Sequence, residues 1–409
     1  VTLREEANLS YSTQLQEAQE CGEEVVKGVL RHLAQNDLFF LLTNILRRPD
    51  ADTDFCFDRC REVQDNCNGY IDLWAREHYK STIKTFAEVI RRILVDPDIT
   101  VGIFSHTRPI AKAFLRQIKR EFEENKILLD LFPEIVWDHP SQQSPKWSED
   151  EGIILRRNSN PTVATVEAWG LVDGQPTSKH FKIRVNDDVV TRESITSPEM
   201  IQKTTKAWED SQNLGVSDGT GEEWNTGTRW HYADTYRDMI ARGSVIPRVY
   251  TEMDEQTGQL YLWTSAIQAK KRQDMGPYTY ACQIKQNPGE SVREGFKKEW
   301  LQYWPADTAQ GGNCYILCDP AGEKKKENDY TVFTVVITLS DENYYVFRLL
   351  RDRLNLVERG NILFQLHRDM KKVCREVRVG YEKYGKDSDI EYYTERMNRE
   401  NYRFRIIPL

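Results

Sequence analysis

The hydrophobic pattern changes period twice along the chain. Residues 1–48 read as mostly helical and amphipathic. From Tyr70 onward, short apolar runs alternate with helical stretches. "GYIDLWA" (69–75) predicts a strand, and "STIKTFAEVIRRIL" (81–94) puts Ile83, Phe86, Ile90, Ile93 and Leu94 on one helical face. "ITVGIFSH" (99–106) predicts a second strand, followed by a helix from about Pro109 to Asn125. "GIILRR" (152–157), "ATVEAWG" (164–170) and "HFKIRVNDD" (180–188) predict three more strands. Such a βαβα rhythm favours an α/β fold, a parallel sheet with helices on both faces.

The second change comes at "YWPADTAQGGN" (303–313), a loop-like stretch with a proline and paired glycines. Beyond it, "CYILCDP", "YTVFTVVITL" and "NYYVFRLL" predict three successive strands. A helix (355–373), a strand "VRVGYEKYG", a helix (387–399) and "RFRIIPL" follow. A three-strand meander followed by alternating helices and strands is the order of an RNase H-like α/β fold. The predicted domains are therefore 1–304, with an N-terminal helical segment and a lid-like region at about 246–304, and 305–409.

Composition narrows the class. With 39% hydrophobic and 29% charged residues the chain has enough apolar material for a core. A net charge of -8 gives no support to a uniformly basic nucleic-acid coat, although an acidic protein can carry a local basic channel. The first 25 residues lack the apolar stretch of a signal peptide, and "LFFLL" (38–42), the longest apolar run, is far too short to span a membrane. Among eight scattered cysteines, Cys56, Cys60 and Cys67 have no partner histidine at zinc spacing, so free thiols are expected.

The candidate chemistry starts at "LWAREHYKST" (73–82), which ends like a phosphate-binding loop but has Trp74 and Tyr79 where G-x-x-x-x-G-K-[ST] has glycines. Its Lys-Ser-Thr lies between a predicted strand and a predicted helix, the context such a loop requires. Arg76, Glu77, His78, Tyr79, Lys80, Ser81 and Thr82 would then surround the phosphates of ATP. Lys80 would reach the β- and γ-phosphates, and the Ser81 hydroxyl would ligate Mg²⁺. "HFKIRVNDD" ends in two carboxylates. Asp187 suits a second Mg²⁺ ligand at a strand end, and Asp188 suits the carboxylate that polarises the attacking water. Taken singly, these are also a surface dipeptide and a solvated turn.

At this point the chain resembles the large terminase subunit of tailed bacteriophages. The resemblance rests on "LWAREHYKST", "VGIFSHTRPIAKAFLRQIKREFEEN", "LFPEIVW", "HFKIRVNDDVV", "TGTRWHYADTY", "YACQIKQNP" and "CDPAGEKKKENDYT", in that order, from about residue 36 to the end. It implies an ASCE-type P-loop ATPase domain followed by an RNase H-like nuclease domain. The ATPase would drive double-stranded DNA into a procapsid, and the nuclease would cut concatemeric DNA. Arg76 would contact the γ-phosphate in cis, Gly227 and Thr228 would sense hydrolysis, and Arg156 or Arg157 would act as an arginine finger in trans. The implied partners are DNA, a portal protein and a small terminase subunit. The implied setting is a homo-oligomeric ring, transiently on the procapsid in the host bacterial cytoplasm, with no membrane. Tyr79 before the lysine departs from most members.

A nuclease of this fold needs carboxylates at the ends of adjacent strands to share two Mg²⁺ or Mn²⁺ ions. Asp319 and Glu382 fit that position, with Asp329 as accessory ligand and "EKKKEN" (323–328) as a DNA-phosphate contact. The third carboxylate is expected beyond residue 409, leaving this domain incomplete at its C-terminus. Two rival readings remain. One is a helicase-like DNA-remodelling ATPase, for which no further motif occurs between 235 and 300. The other is a non-catalytic nucleotide-binding structural protein, favoured by the missing glycines and opposed by Lys80, Asp187 and Asp188.

Overall fold

The computed structural model describes residues 1–289, 302–305, 311–321, 330–341, 343–382 and 388–409. The chain divides into two compact units, Val1–Phe296 and Lys297–Leu409, and the fold is mixed α/β.

The first unit is built on an eight-stranded sheet. Its strands are β1 (Tyr70–Trp74), β2 (Val101–Ser105), β3 (Trp147–Ser148), β4 (Gly152–Ile153), β5 (Val166–Gly170), β6 (Ile183–Asp187), β7 (Glu222–Gly227) and β8 (Ile246–Tyr250), in the order β3-β4-β5-β2-β6-β7-β1-β8. From β5 to β8 every pairing is parallel, while β3, β4 and β5 pair antiparallel, so the sheet is mixed rather than purely parallel. The strand expected over 152–157 stops after Ile153. Beyond it the backbone bonds elsewhere: Leu155 N donates to Thr165 Oγ1 (3.2 Å) and Arg156 N to the Ile135 carbonyl (2.8 Å).

Both faces of this sheet are covered, because successive side chains on a strand point to opposite sides. Ile71 and Leu73 of β1 join one apolar cluster with Trp208, Tyr236 and Met239. Trp74 joins the other, with Phe86, Ile90, Leu115 and Phe122. "LFFLL" is wholly buried in that second cluster, which accounts for its apolarity. Among the described residues no helix is long and apolar enough to cross a membrane, and all eight cysteines are free.

The segment after β1 departs from the expected one-sided helix. It opens as a π-helix (Thr82–Glu88) and continues as an α-helix (Val89–Val95), and residues 83–90 are all buried. Polar side chains are tolerated there because each has a partner. Glu88 pairs with Arg91 (2.6 Å) and Thr85 with Asp187, while Lys84 pairs with Asp72 and also donates to the Asn225 carbonyl (3.0 Å). On the neighbouring strand, Arg248 holds Asp72 bidentately (2.7 and 2.8 Å). One buried carboxylate thus neutralises two buried cations, and it ties β1 to β8 and to the helix.

The second unit carries a five-stranded sheet of β9 (Asn313–Asp319), β10 (Thr331–Thr338), β11 (Tyr344–Asp352), β12 (Glu376–Tyr381) and β13 (Ile406–Pro408), ordered β11-β10-β9-β12-β13. The first three strands form an antiparallel meander, and β12 and β13 add parallel to β9. Alternation along β10 buries Thr331, Phe333, Val335 and Ile337. Leu363, Phe364 and Met370 of the helix Leu356–Val373 and Tyr393 of the helix Ser388–Arg399 share their cluster with Phe333, Val335 and Ile337.

Replacing Asp72 with Asn removes the carboxylate that pairs directly with both Lys84 and Arg248. Breaking such a buried pair costs about 3–5 kcal/mol. Asp72→Asn is therefore expected to lower the denaturant midpoint of the first unit's unfolding sharply. A midpoint within experimental error of the parent would show that the cluster contributes nothing.

Candidate active site

The loop after β1 takes a glycine's backbone conformation at two positions that carry side chains. Glu77 (φ 68°) and Tyr79 (φ 61°) both adopt the left-handed conformation, whereas His78 between them and Lys80 after them do not. Alternation of this kind is the backbone pattern of anion-binding nests, although here the His78 N–H between the two donates to the Ala75 carbonyl (3.2 Å). Left-handed backbone costs a side-chain-bearing residue roughly 1–2 kcal/mol, so something must hold it there. The Tyr79 hydroxyl donates to Asp50 Oδ2 (2.7 Å), Ala75 N to the Tyr250 carbonyl (2.7 Å) and Arg76 N to the Gln283 carbonyl (3.0 Å). His78 is buried against Phe55 and Trp263, with Nδ1 3.0 Å from the Arg76 carbonyl, and burial lowers its pKa.

From this loop two side chains reach the end of β6. Lys80 Nζ lies 3.1 Å from both carboxylate oxygens of Asp188, and Ser81 Oγ donates to Asp187 Oδ1 at 3.0 Å. Thr85, one turn further along, donates to the other Asp187 oxygen. Asp188 leaves the strand at φ 47°, with its N–H on the Thr226 carbonyl (3.0 Å). From the neighbouring strand, Thr228 Oγ1 comes within 3.4 Å of Asp188 Oδ1. Gly227 has to lack a side chain, since a Cβ there would lie 2.1 Å from the Tyr236 hydroxyl.

Electrostatics follow from burial and mutual charge. Burial pushes the Asp187 carboxyl up, to about 6, against the pull of Lys80. Burial also disfavours the Lys80 ammonium, but Asp188 and Asp187 outweigh it and hold its pKa above the ordinary lysine value. A hydroxyl and a carboxylate side by side are hard oxygen donors of the kind Mg²⁺ takes.

The other predicted residues are placed as follows. Arg76 is exposed and directs Nη1 to Gln283 Oε1 (3.3 Å), and Glu77 pairs with Lys271. Thr82 begins the π-helix. Arg156 pairs with Asp138 (3.2 Å) and stacks on Trp137, and Arg157 donates to the carbonyls of Val163 and Pro161 (3.1 and 3.3 Å). Both follow β4, which β5 and β2 separate from β6, and neither bonds to the Lys80 group.

In the second unit, Asp319 is the last residue of β9, and Glu382 follows β12. Tyr381 pairs with Cys318, and Glu382 N donates to the Cys318 carbonyl (2.9 Å), so the two acidic residues leave adjacent parallel strands side by side. Both are exposed. Asp389 is held by Arg359 (2.8 Å) and the Tyr381 hydroxyl (2.7 Å). Asp329 and residues 323–328 lie outside the described residues. Among those described, no three His, Cys, Asp or Glu side chains gather closely enough to hold a metal ion.

Thr85, Asp50, Gln283 and Gln286 were not singled out from the sequence. Thr85 carries a signal in retrospect, since it lies four residues after Ser81, one turn along on the same helical face. The two glutamines stand in "YACQIKQNP", which carries no recognisable chemistry of its own.

No family model matches the chain, and no curated protein does. Among solved structures it is similar to the large terminase from the thermophilic bacteriophage D6E in complex with ADP, at 12% identity and a TM-score of 0.34. The same terminase in complex with ATP-gamma-S matches at 13% identity and a TM-score of 0.34. Each alignment covers 91% of this chain and 81% of the other. At that overlap and identity the likeness decides neither fold nor role.

The loop geometry makes its own prediction. Tyr79→Ala loses the Asp50 anchor and keeps the left-handed strain, whereas Tyr79→Gly loses both. The glycine variant should therefore be the more stable by about 1 kcal/mol in thermal melts. Equal stability would mean that the backbone at Tyr79 is not strained.

Proposed function

We propose that the first unit is a P-loop ATPase that translocates double-stranded DNA and the second an RNase H-like, metal-dependent endonuclease, together the motor and cutter of viral genome packaging. The observation that carries the ATPase reading is the pairing of Lys80 with Asp188 beside the pairing of Ser81 with Asp187. The nuclease reading is supported by the strand order of the second unit and the side-by-side exit of Asp319 and Glu382.

In this reading the backbone N–H groups around Glu77 and Tyr79 receive the ATP phosphates at the positive end of the following helix. Lys80 leaves Asp188 for the β- and γ-phosphates. Asp188 is thereby released to polarise a water, so the base stays neutralised until nucleotide arrives. Ser81 and Asp187 would hold Mg²⁺, which screens phosphate charge when bound. Thr85 keeps Asp187 oriented as the Ser81 hydroxyl turns to the metal. Thr228 steadies Asp188 from β7. Arg76 as γ-phosphate ligand and Arg156 or Arg157 as trans finger require those side chains to exchange their present partners. In the second unit, Asp319 and Glu382, with Asp329, would share two Mg²⁺ or Mn²⁺. DNA, a portal protein, a small terminase subunit and a ring of copies complete the proposed setting.

Lys80→Ala should abolish ATP hydrolysis in a folded protein. Asp188→Asn should cut turnover by about 10²–10⁴-fold, the usual contribution of a positioned general base. It should also bind ATP several-fold more tightly, because Lys80 no longer has a competing carboxylate. Isothermal titration together with phosphate release tests both. Turnover retained in either variant would place the chemistry elsewhere.

For the nuclease, Asp319→Ala should stop Mn²⁺-dependent plasmid cleavage and leave ATP hydrolysis at the parental rate. A variant that still cuts would remove Asp319 from the metal site.

A further inference from the structure

Strands β1 and β7 pair in register up to Leu73 and Gly227, and their ladder ends there. Directly beyond that point the loop after β1 and the residues Thr228 and Arg229 diverge around the site. The side chain of Gln286 fills the gap. Its Nε2 donates to the Trp74 carbonyl (3.0 Å) and to the Gln283 carbonyl (2.8 Å), and its Oε1 accepts from Arg229 N (3.0 Å). A carboxamide carries the same donor and acceptor as a peptide group, so Gln286 acts as one more rung of the ladder, made by a side chain.

Two further observations show that the rung is imposed by its surroundings. Gln286 has φ 53°, a strained backbone for a residue with a side chain, and such strain persists where neighbouring structure over-determines it. It is also buried, as is Gln283, whose carbonyl accepts from Arg76 N (3.0 Å) as well as from Gln286. The two glutamines, at the end of the helix Ser265–Gln283 and just beyond it, thus grip the start of the β1 loop and the end of β7 together.

We propose that Gln286 is a positioning residue for ATP hydrolysis, setting the distance between the loop that carries Lys80 and the strand end that carries Thr228. This rests on the ATPase reading above. Gln286 touches none of the reacting groups. It acts through Arg229 on the adjacent Thr228, and so on Asp188, and through Trp74 on the loop. A displacement of about 1 Å at such a site costs up to about a hundredfold in rate.

Gln286→Leu removes all three bonds at similar volume. Gln286→Glu is nearly isosteric, keeps the acceptor for Arg229 and loses the donors to the two carbonyls. Both are expected to lower kcat at least about tenfold with little change in the KM for ATP. Both should also speed hydrogen exchange at the Arg229 amide in the nucleotide-free protein, more for Leu than for Glu. In a Thr228→Ala background, Gln286→Leu should lower kcat by less than it does in the parent, because part of its effect runs through Thr228; residues acting through one another are non-additive. Parental kcat in both variants, unchanged exchange at Arg229, or a fully additive loss with Thr228→Ala would each overturn the positioning role while leaving the ATPase reading standing. Absence of ATP hydrolysis by the unsubstituted protein would overturn both.

Discussion

The contact between Lys80 and Asp188 depends on two strands that are not neighbours. β7 lies between β1 and β6, so a lysine from one loop and a carboxylate from the other meet only if the sheet is parallel here and the strands end level. The parallel register supplies the level ends. The buried Asp72 cluster then fixes the helix that begins at Lys80 against β1 and β8. Moving that helix by a fraction of a turn would separate Lys80 from Asp188 and Ser81 from Asp187 together.

Placing charge in this position carries a cost. Asp187 is fully buried and its carboxyl is driven up to about 6, while Lys80 keeps its charge only because two carboxylates face it. In the proposed ATPase reading these charges exchange partners. A phosphate chain would take over the neutralisation of Lys80, and a divalent cation would take over that of Asp187. Perturbed groups of this kind cluster at functional sites, although structural ion-pair networks also produce them.

Much of this was legible in the sequence because it depends on local order. Lys80-Ser81 between a strand and a helix, and Asp187-Asp188 at a strand end, are short-range patterns, and so are the apolar runs that became β1, β2, β5 and β6. The succession of strands and helices in the second unit was likewise legible in the order of its apolar segments. What could not be read depends on tertiary partners. Glu77 and Tyr79 take a glycine's conformation only because Asp50, Tyr250 and Gln283 hold the loop. The Thr82–Val95 segment looked one-sided, since Lys84, Thr85 and Glu88 mark a polar face until their buried partners are seen. Gln286 is invisible for the same reason, its role being set by two strand ends more than fifty residues away from it in sequence.

The most direct test is Mg²⁺-dependent ATP hydrolysis by the unsubstituted chain, measured with and without double-stranded DNA. The account predicts turnover that requires Mg²⁺ and rises when DNA is added. No hydrolysis under either condition, in protein shown to be folded, would contradict it and leave a structural protein that retains the form of a nucleotide site.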